Sequence, residues 1–217
     1  MGLMTELFYP PYARCFCCGH PRLDNMGDHL CVKCRDSLAS IRMQEMFFYV
    51  EGAEKVYAPF PYDGAAKELI HCLKYTCVRD AAKVLGREMA ALLSSDSFDA
   101  LVPVPLYPKR LMERGFNQAE LLAQAVGEQK NIPVLPALER LRETGQQAKL
   151  EKERRIKNME DAFQTCKKVR GMRLLVVDDV CTTGATARAC IRALSGAGAK
   201  SVSLLTAAVT LKTGHGS

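Results

Sequence analysis

The stretch Leu174-Leu175-Val176-Val177-Asp178-Asp179-Val180-Cys181-Thr182-Thr183-Gly184-Ala185-Thr186 limits the folds open to this chain more than any other. Four apolar residues, two of them β-branched, read as a strand buried in a parallel sheet. The strand is expected to stop at two adjacent carboxylates, which are costly to hold at the end of a buried strand without a partner. Hydroxyl residues then surround one glycine, and a helix-like run follows from Thr186 to Ser195. A strand that feeds a helix through such a loop builds an anion site. The loop amides and the helix N-terminus point at the anion, Gly184 lets the backbone come close, and the threonine hydroxyls add donors. A ligand with a phosphate beside vicinal hydroxyls fits, the hydroxyls falling to Asp178 and Asp179, and a ribose 5-phosphate has both. The acids precede the loop and no G-x-x-x-x-G-K-[ST] occurs, so this is not a Walker loop. G-x-G-x-x-G is also absent from this stretch.

A second pattern lies near the N-terminus. Cys15-Phe16-Cys17-Cys18 and Cys31-Val32-Lys33-Cys34 form two C-x2-C pairs with twelve residues between them. Two such knuckles bring four thiolates to the corners of a tetrahedron, which suits Zn²⁺, and an all-cysteine set leaves no position for water. We therefore expect a structural zinc on Cys15, Cys18, Cys31 and Cys34. Cys17 is surplus beside a ligand, and His20 and His29 lie in the intervening loop.

The ten cysteines are read as thiols, because residues 1–15 lack a basic start followed by an apolar stretch. No apolar run reaches membrane-spanning length. The expectation is a cytoplasmic protein that uses no membrane. Net charge is +6, and residues 101–173 hold fifteen Lys/Arg against nine Asp/Glu. That local excess suits a polyanion, either a pyrophosphate or a nucleic acid, although a solvated basic face would look the same.

The chain alternates strands and helices, which predicts an α/β domain with a mostly parallel sheet. A helix is expected from Asp36 to Val50, with a domain boundary at Glu51-Gly52. Residues 1–51 would be the zinc module with its trailing helix, and residues 52–217 the α/β domain. Strands are expected at Val56–Tyr62, Ala100–Val104, Ile132–Leu135 and Ser201–Ala208, and helices at Ala65–Tyr75, Asp80–Leu93 and from an Asn117 cap to Glu128. Arg140 to Asn158 is polar and basic and is expected to be a mobile loop, partly helical near its end, from which Phe163 returns to the core. The signature falls at the carboxyl end of a strand, where ligands bind in such sheets.

Several motifs in one order resemble the ComF family, the competence protein F group that also includes GntX-like proteins. They are the C-x2-C pair, Tyr62-Asp63-Gly64, Ile70-His71-Cys72-Leu73-Lys74-Tyr75, Pro103-Val104-Pro105-Leu106, Arg114-Gly115-Phe116-Asn117-Gln118-Ala119, then Thr144, Gln147, Arg155, Asn158 and Phe163, and finally the signature. The resemblance implies a zinc finger fused to a type I phosphoribosyltransferase domain. It implies that Cys181, Thr182, Thr183, Gly184, Ala185 and Thr186 hold the 5-phosphate of phosphoribosyl pyrophosphate, and that Asp178 and Asp179 hold its ribose. Pro105, Leu106, Lys109 and Arg110 would lie near the pyrophosphate, with Mg²⁺ neutralising it, and residues 140–158 would close over the substrate. Asp178, Asp179, Lys109 and Arg110 are the residues this assigns to catalysis.

The resemblance also implies a role in natural transformation, through single-stranded DNA and other competence proteins such as a DNA helicase. Glutamine amidotransfer is not expected, since the chain starts Met1-Gly2 and its first cysteine is Cys15. Three readings stay open: a DNA-handling factor that binds phosphoribosyl pyrophosphate, a phosphoribosyltransferase with an unknown acceptor, and a zinc-stabilised scaffold. Candidate DNA contacts are Lys149, Lys152, Arg154, Arg155, Lys157, Lys167, Lys168 and Arg170.

Overall fold

The structure, a computed structural model, describes residues 14–22, 30–43, 48–75, 78–93, 97–142 and 162–211. Its centre is a five-stranded parallel sheet. β1 (Val56–Tyr57) and β2 (Phe60–Pro61) lie end to end against β7 (Ser201–Val209). β7 pairs with β6 (Arg173–Cys181), and β6 with β3 (Ala100–Pro103). Leu174 to Val177 and Leu204-Leu205 have no exposure at all. Near-continuous apolar runs of this kind are what a strand covered on both faces requires.

On one face lie helices α2 (Gly64–Tyr75), α3 (Val78–Ala91) and α5 (Gln118–Lys130), packed on Leu175, Val177 and Leu205. On the other lie α6 (Ala185–Gly196) and an antiparallel hairpin, β4 (Leu138–Arg140) with β5 (Phe163–Thr165), over Leu174, Val176 and Leu204. The expected class, α/β with a mostly parallel sheet, is therefore what the chain forms. α3 and α5 cross closely: a Cβ on Gly86 would stand 2.5 Å from the Cβ of Ala125.

Several boundaries differ from the sequence expectations. β6 does not stop at the carboxylates. It continues to Cys181 because β7 still offers partners, pairing Asp178 with Thr206, Val180 with Ala208 and Cys181 with Val209. The expected Val56–Tyr62 strand is broken at Ala58-Pro59, since proline cannot donate to a ladder. At Ile132–Leu135 there is only an isolated bridge between Val134 and Leu101, flanked by Pro133 and Pro136. Helix α1 spans Val32–Ser40, starting inside the second cysteine pair, and residues 44–47 of the expected helix lie outside the described ones.

Two elements were not read from the sequence. One is the β4–β5 hairpin, with residues 143–161 outside the description. The other is α4 (Pro108–Arg114), which starts on a proline and ends at Gly115 in the left-handed region, φ +78°. The Asn117 cap is as expected, its side chain accepting from the Ala119 amide at 3.1 Å. Phe163 is buried, as expected.

The cysteine module is docked rather than hung. Leu30, Cys34 and Leu38 join the core formed with α2 and α3. The Cys72 thiol donates to the Phe16 carbonyl at 2.7 Å, and Arg42 pairs with Glu88 of α3. The segment after α1 also packs inward, with Val50 fully buried. A boundary at 51/52 thus remains a proposal about organisation, drawn between parts that share a core. No helix among the described residues is long and apolar enough to cross a membrane.

Candidate functional site

The carboxyl end of β6 carries the two acids on different faces of the sheet. Asp179 turns toward α2, where Lys74 Nζ lies 2.5 Å from its Oδ2. Asp178 belongs to the α6 face, and its charge is felt by Cys181 and Cys190, whose thiols are both raised, first by burial and then by Asp178. Each carboxylate also accepts from the next amide, Asp178 Oδ1 from Asp179 N at 2.8 Å and Asp179 Oδ1 from Val180 N at 2.9 Å. Burial pushes the Asp178 carboxyl well above its ordinary range, and the neighbouring charge of Asp179 pushes the same way.

The loop then turns into α6 through Gly184, the residue before the helix, at φ +75°. Thr182 and Thr183 are exposed, Ala185 and Thr186 are half-buried, and Cys181 is buried in the core, so only its backbone faces the loop. Thr183 Oγ1 lies 3.4 Å from the Ala185 amide, and Arg188 donates to the Thr183 carbonyl at 3.3 Å. Gly184 is held by two constraints. An L side chain rarely adopts its φ, and a Cβ there would stand 3.3 Å from Val50 Cγ2. The linker before β1 therefore presses on the back of the loop.

Beside this end of the sheet is a cavity of about 500 Å³, lined by Lys74, Tyr75, Lys109, Arg110, Glu113, Arg114 and Phe116. The structure brings Lys109 and Arg110 together with Lys74, and Lys74 links them to Asp179. Pro105 and Leu106 are half-buried in the turn before α4. Asn117 fixes that turn by donating to the Val104 carbonyl at 3.0 Å. The sequence reading named Lys74, Tyr75 and Arg114 only as parts of motifs. The amphipathic pattern of α2 placed Lys74 at its end, but only the fold carries that end to β6.

The ligand atoms of Cys15, Cys18, Cys31 and Cys34 all lie within 4.8 Å of one another. The first knuckle turns through Gly19, whose amide donates to the Cys15 carbonyl at 2.8 Å. The second starts α1, with Cys31 at its N-cap. Burial opposes ionisation of Cys15, yet amides of Cys31, Cys18 and Cys17 bring its thiol down to about 7. Cys34 is raised instead, by burial first and then by the crowded sulfurs of Cys18 and Cys31. Four sulfurs this close ionise together only around a cation, so the cluster is compatible with a structural zinc. Cys17 is outside the cluster: burial pushes its thiol up to about 11, and its sulfur lies 3.8 Å from the Ala65 carbonyl of α2.

Residues 112–215 match the family model described as the phosphoribosyl transferase domain. Competence protein ComFC of Bacillus subtilis is 31% identical over 185 residues, covering 83% of this chain and 70% of that protein. Competence protein F of Haemophilus influenzae is 35% identical over 118 residues, 52% of this chain and 48% of that one. DNA utilization protein YhgH of Salmonella typhi is 34% identical over 126 residues, 54% of this chain and 56% of its own length, so the match spans little more than half of that relative. Among solved structures, a B. subtilis glutamine phosphoribosylpyrophosphate amidotransferase complexed with ADP and GMP aligns at TM-score 0.43 and 26% identity, over 58% of this chain and 26% of that one.

The Asp178 environment has a consequence for stability. Its folded pKa is raised, so its contribution is favourable at low pH and is lost as pH rises through the raised value. Asp178→Asn keeps the acceptor for the Asp179 amide and removes the charge. Without ligand or divalent cation, thermal unfolding should show the variant melting about 2–4 °C higher near pH 8, the effect of about 1 kcal/mol on a chain of this size. The gain should shrink as pH falls. A variant that melts lower than wild type at pH 8, or gains equally at every pH, would contradict the raised carboxyl.

Proposed function

We propose what this end of the sheet binds from one premise: the chain belongs to the ComF family of competence proteins and carries a phosphoribosyl transferase domain. The ligand is phosphoribosyl pyrophosphate. Its 5-phosphate lies on the loop from Cys181 to Thr186, its ribose hydroxyls on Asp178 and Asp179, and its pyrophosphate toward Lys109, Arg110 and the Pro105-Leu106 turn. The observation that carries this is the carboxylate pair at the end of β6, joined through Lys74 to a cavity lined by cations. Anions are stabilised there by fixed positive charge and by loop amides, while the acids accept hydrogen bonds from the ribose hydroxyls.

An acidic pair in which burial resists the charge of Asp178 also fits a divalent cation. Mg²⁺ bound there would supply charge neutralisation on the pyrophosphate. Lys74 holds Asp179 when no ligand is bound and is placed to turn to the pyrophosphate instead. If transfer occurs, departure of the pyrophosphate is helped by Lys109 and Arg110, and water must be kept from the developing ribosyl cation.

Calorimetry with phosphoribosyl pyrophosphate and Mg²⁺ tests this. Wild type should bind, and Asp178→Ala with Asp179→Ala should weaken binding at least about tenfold, the effect of losing about 1.4 kcal/mol. Thr183→Val should weaken it less. Equal affinity in wild type and the double aspartate variant would sink the assignment.

The zinc proposal has its own test. About one zinc per chain should be found by elemental analysis and lost in Cys31→Ser with Cys34→Ser. Zinc retained in full by that variant would show that another set of ligands holds it.

The names of the relatives, competence protein and DNA utilization protein, support a role with DNA; that this DNA is an incoming single strand, handled together with other competence proteins such as a DNA helicase, is our proposal. Lys167, Lys168 and Arg170 are exposed before β6, whereas Lys149, Lys152, Arg154, Arg155 and Lys157 lie outside the described residues. Binding through phosphates releases counterions, so affinity for a labelled oligonucleotide should fall steeply between about 50 and 200 mM salt. Salt-insensitive binding, or none at low salt, would leave the basic excess as a solvated face.

A further inference from the structure

Helix α4 contains no buried residue. It is nevertheless fixed at both ends, by a proline at its start and by Gly115, whose amide donates to the Leu111 carbonyl at 2.7 Å. A helix that contributes nothing to the core presents its side chains to something outside it. Those facing the cavity are Lys109, Arg110, Glu113 and Arg114. Across the cavity, at the end of α2, Lys74 adds a fourth cation and Tyr75 an aromatic ring that stays 63% exposed.

The ring of Tyr75 is supported on one side by His71, with centroids 4.7 Å apart, and Arg114 Cζ stands over it at 5.8 Å. That second distance is near the outer limit of a cation–π contact. A flat base between guanidinium and ring needs about 3.5 Å on each side, or about 7 Å in all. Arg114 would have to move by only about 1 Å, within reach of a side-chain rotation. A cavity of about 500 Å³ is also of the size that takes a small organic ligand. A ligand made only of phosphates would leave Tyr75 and Phe116 idle.

We propose that this cavity is a nucleotide subsite, in which an aromatic base stacks between Tyr75 and Arg114 while Lys109 and Arg110 hold the adjoining phosphate. Every base offers a π-face, so the subsite tolerates any base. The chemistry is shared by a free nucleotide and by one residue of a single strand. Because Lys109 and Arg110 would serve both ligands, a nucleotide and phosphoribosyl pyrophosphate exclude one another. The subsite does not depend on Asp178 and Asp179 holding a ribose.

Calorimetric titration of the full chain with thymidine 5′-monophosphate, a short oligothymidylate and inorganic phosphate tests the proposal. Tyr75→Leu should weaken the base-bearing ligands about five- to a hundredfold, the range expected for one lost stack. Tyr75→Phe should retain them, and inorganic phosphate should bind Tyr75→Leu as it binds wild type. The exposed ring makes Tyr75→Leu a variant that folds, checked by an unchanged melting temperature. Asp178→Ala with Asp179→Ala frees Lys74, so nucleotide affinity should hold or rise in the variant expected to lose phosphoribosyl pyrophosphate. The two readings thus fail separately. Tyr75-dependent binding of the mononucleotide identifies a free nucleotide as source, and such binding of the oligomer alone identifies a strand. Equal binding of base-bearing ligands by wild type and Tyr75→Leu, or no binding of either at millimolar concentration, overturns the proposal.

Discussion

The ion pair between Lys74 and Asp179 is the contact on which the functional end of this molecule depends. A parallel strand covered on both faces has to end somewhere, and here β6 carries two adjacent acids while still paired with β7. Backbone amides satisfy one oxygen of each. They do not remove the cost of two charges at the rim of an apolar sheet. The fold treats the two acids differently. Asp179 faces α2 and pairs with Lys74, whereas at Asp178, on the α6 face, burial and the charge of Asp179 outweigh the pull of Lys74, so its charged form is disfavoured. The site therefore stands asymmetric before any ligand arrives, with one acid neutralised by an internal lysine and the other favouring its proton.

Much of the scaffold was legible because it rests on local signals. Apolar runs gave β6 and β7, the spacing of Leu69, Ile70 and Leu73 gave α2, and Asn117 gave the start of α5. The cysteine cluster was legible from spacing alone, since two C-x2-C knuckles have few ways to close. The errors share a cause. Where β6 ends depends on how far β7 runs beside it, and where the 132–135 segment stops being a strand depends on prolines that remove donors. Helix α4 lacks an apolar stripe because nothing on it is buried, so periodicity could not reveal it, although Pro108 and Gly115 marked both ends.

The site was legible in part for the same reason. The loop from Cys181 to Thr186 is contiguous, so its composition alone suggested the anion site proposed above. At Gly184 the structure adds a constraint of another kind. The missing Cβ answers to a positive φ and to Val50 behind the loop, a contact between residues far apart in sequence. Cys181 belongs to the loop by position but to the core by its side chain. The cavity needed residues from two helices that meet only once α2 and α4 are placed on the sheet, and no pattern in the sequence announces that meeting.

Helix α2 ties these parts together. The first cysteine knuckle rests on it through the Cys72 thiol and the Phe16 carbonyl, and the Cys17 sulfur lies near the Ala65 carbonyl. Lys74 and Tyr75, at the helix's far end, face Asp179 and Arg114. Cys72 and Lys74 are two positions apart, about 3 Å along the helix axis. A helix is stiff over so short a distance, so the position of the knuckle constrains that of Lys74. The cysteine module and the sheet thus hold α2 from two sides, through the Cys72 thiol on one and through Leu69, Ile70 and Leu73 on the other, and the helix they share carries the lysine that meets the carboxylate at the end of β6.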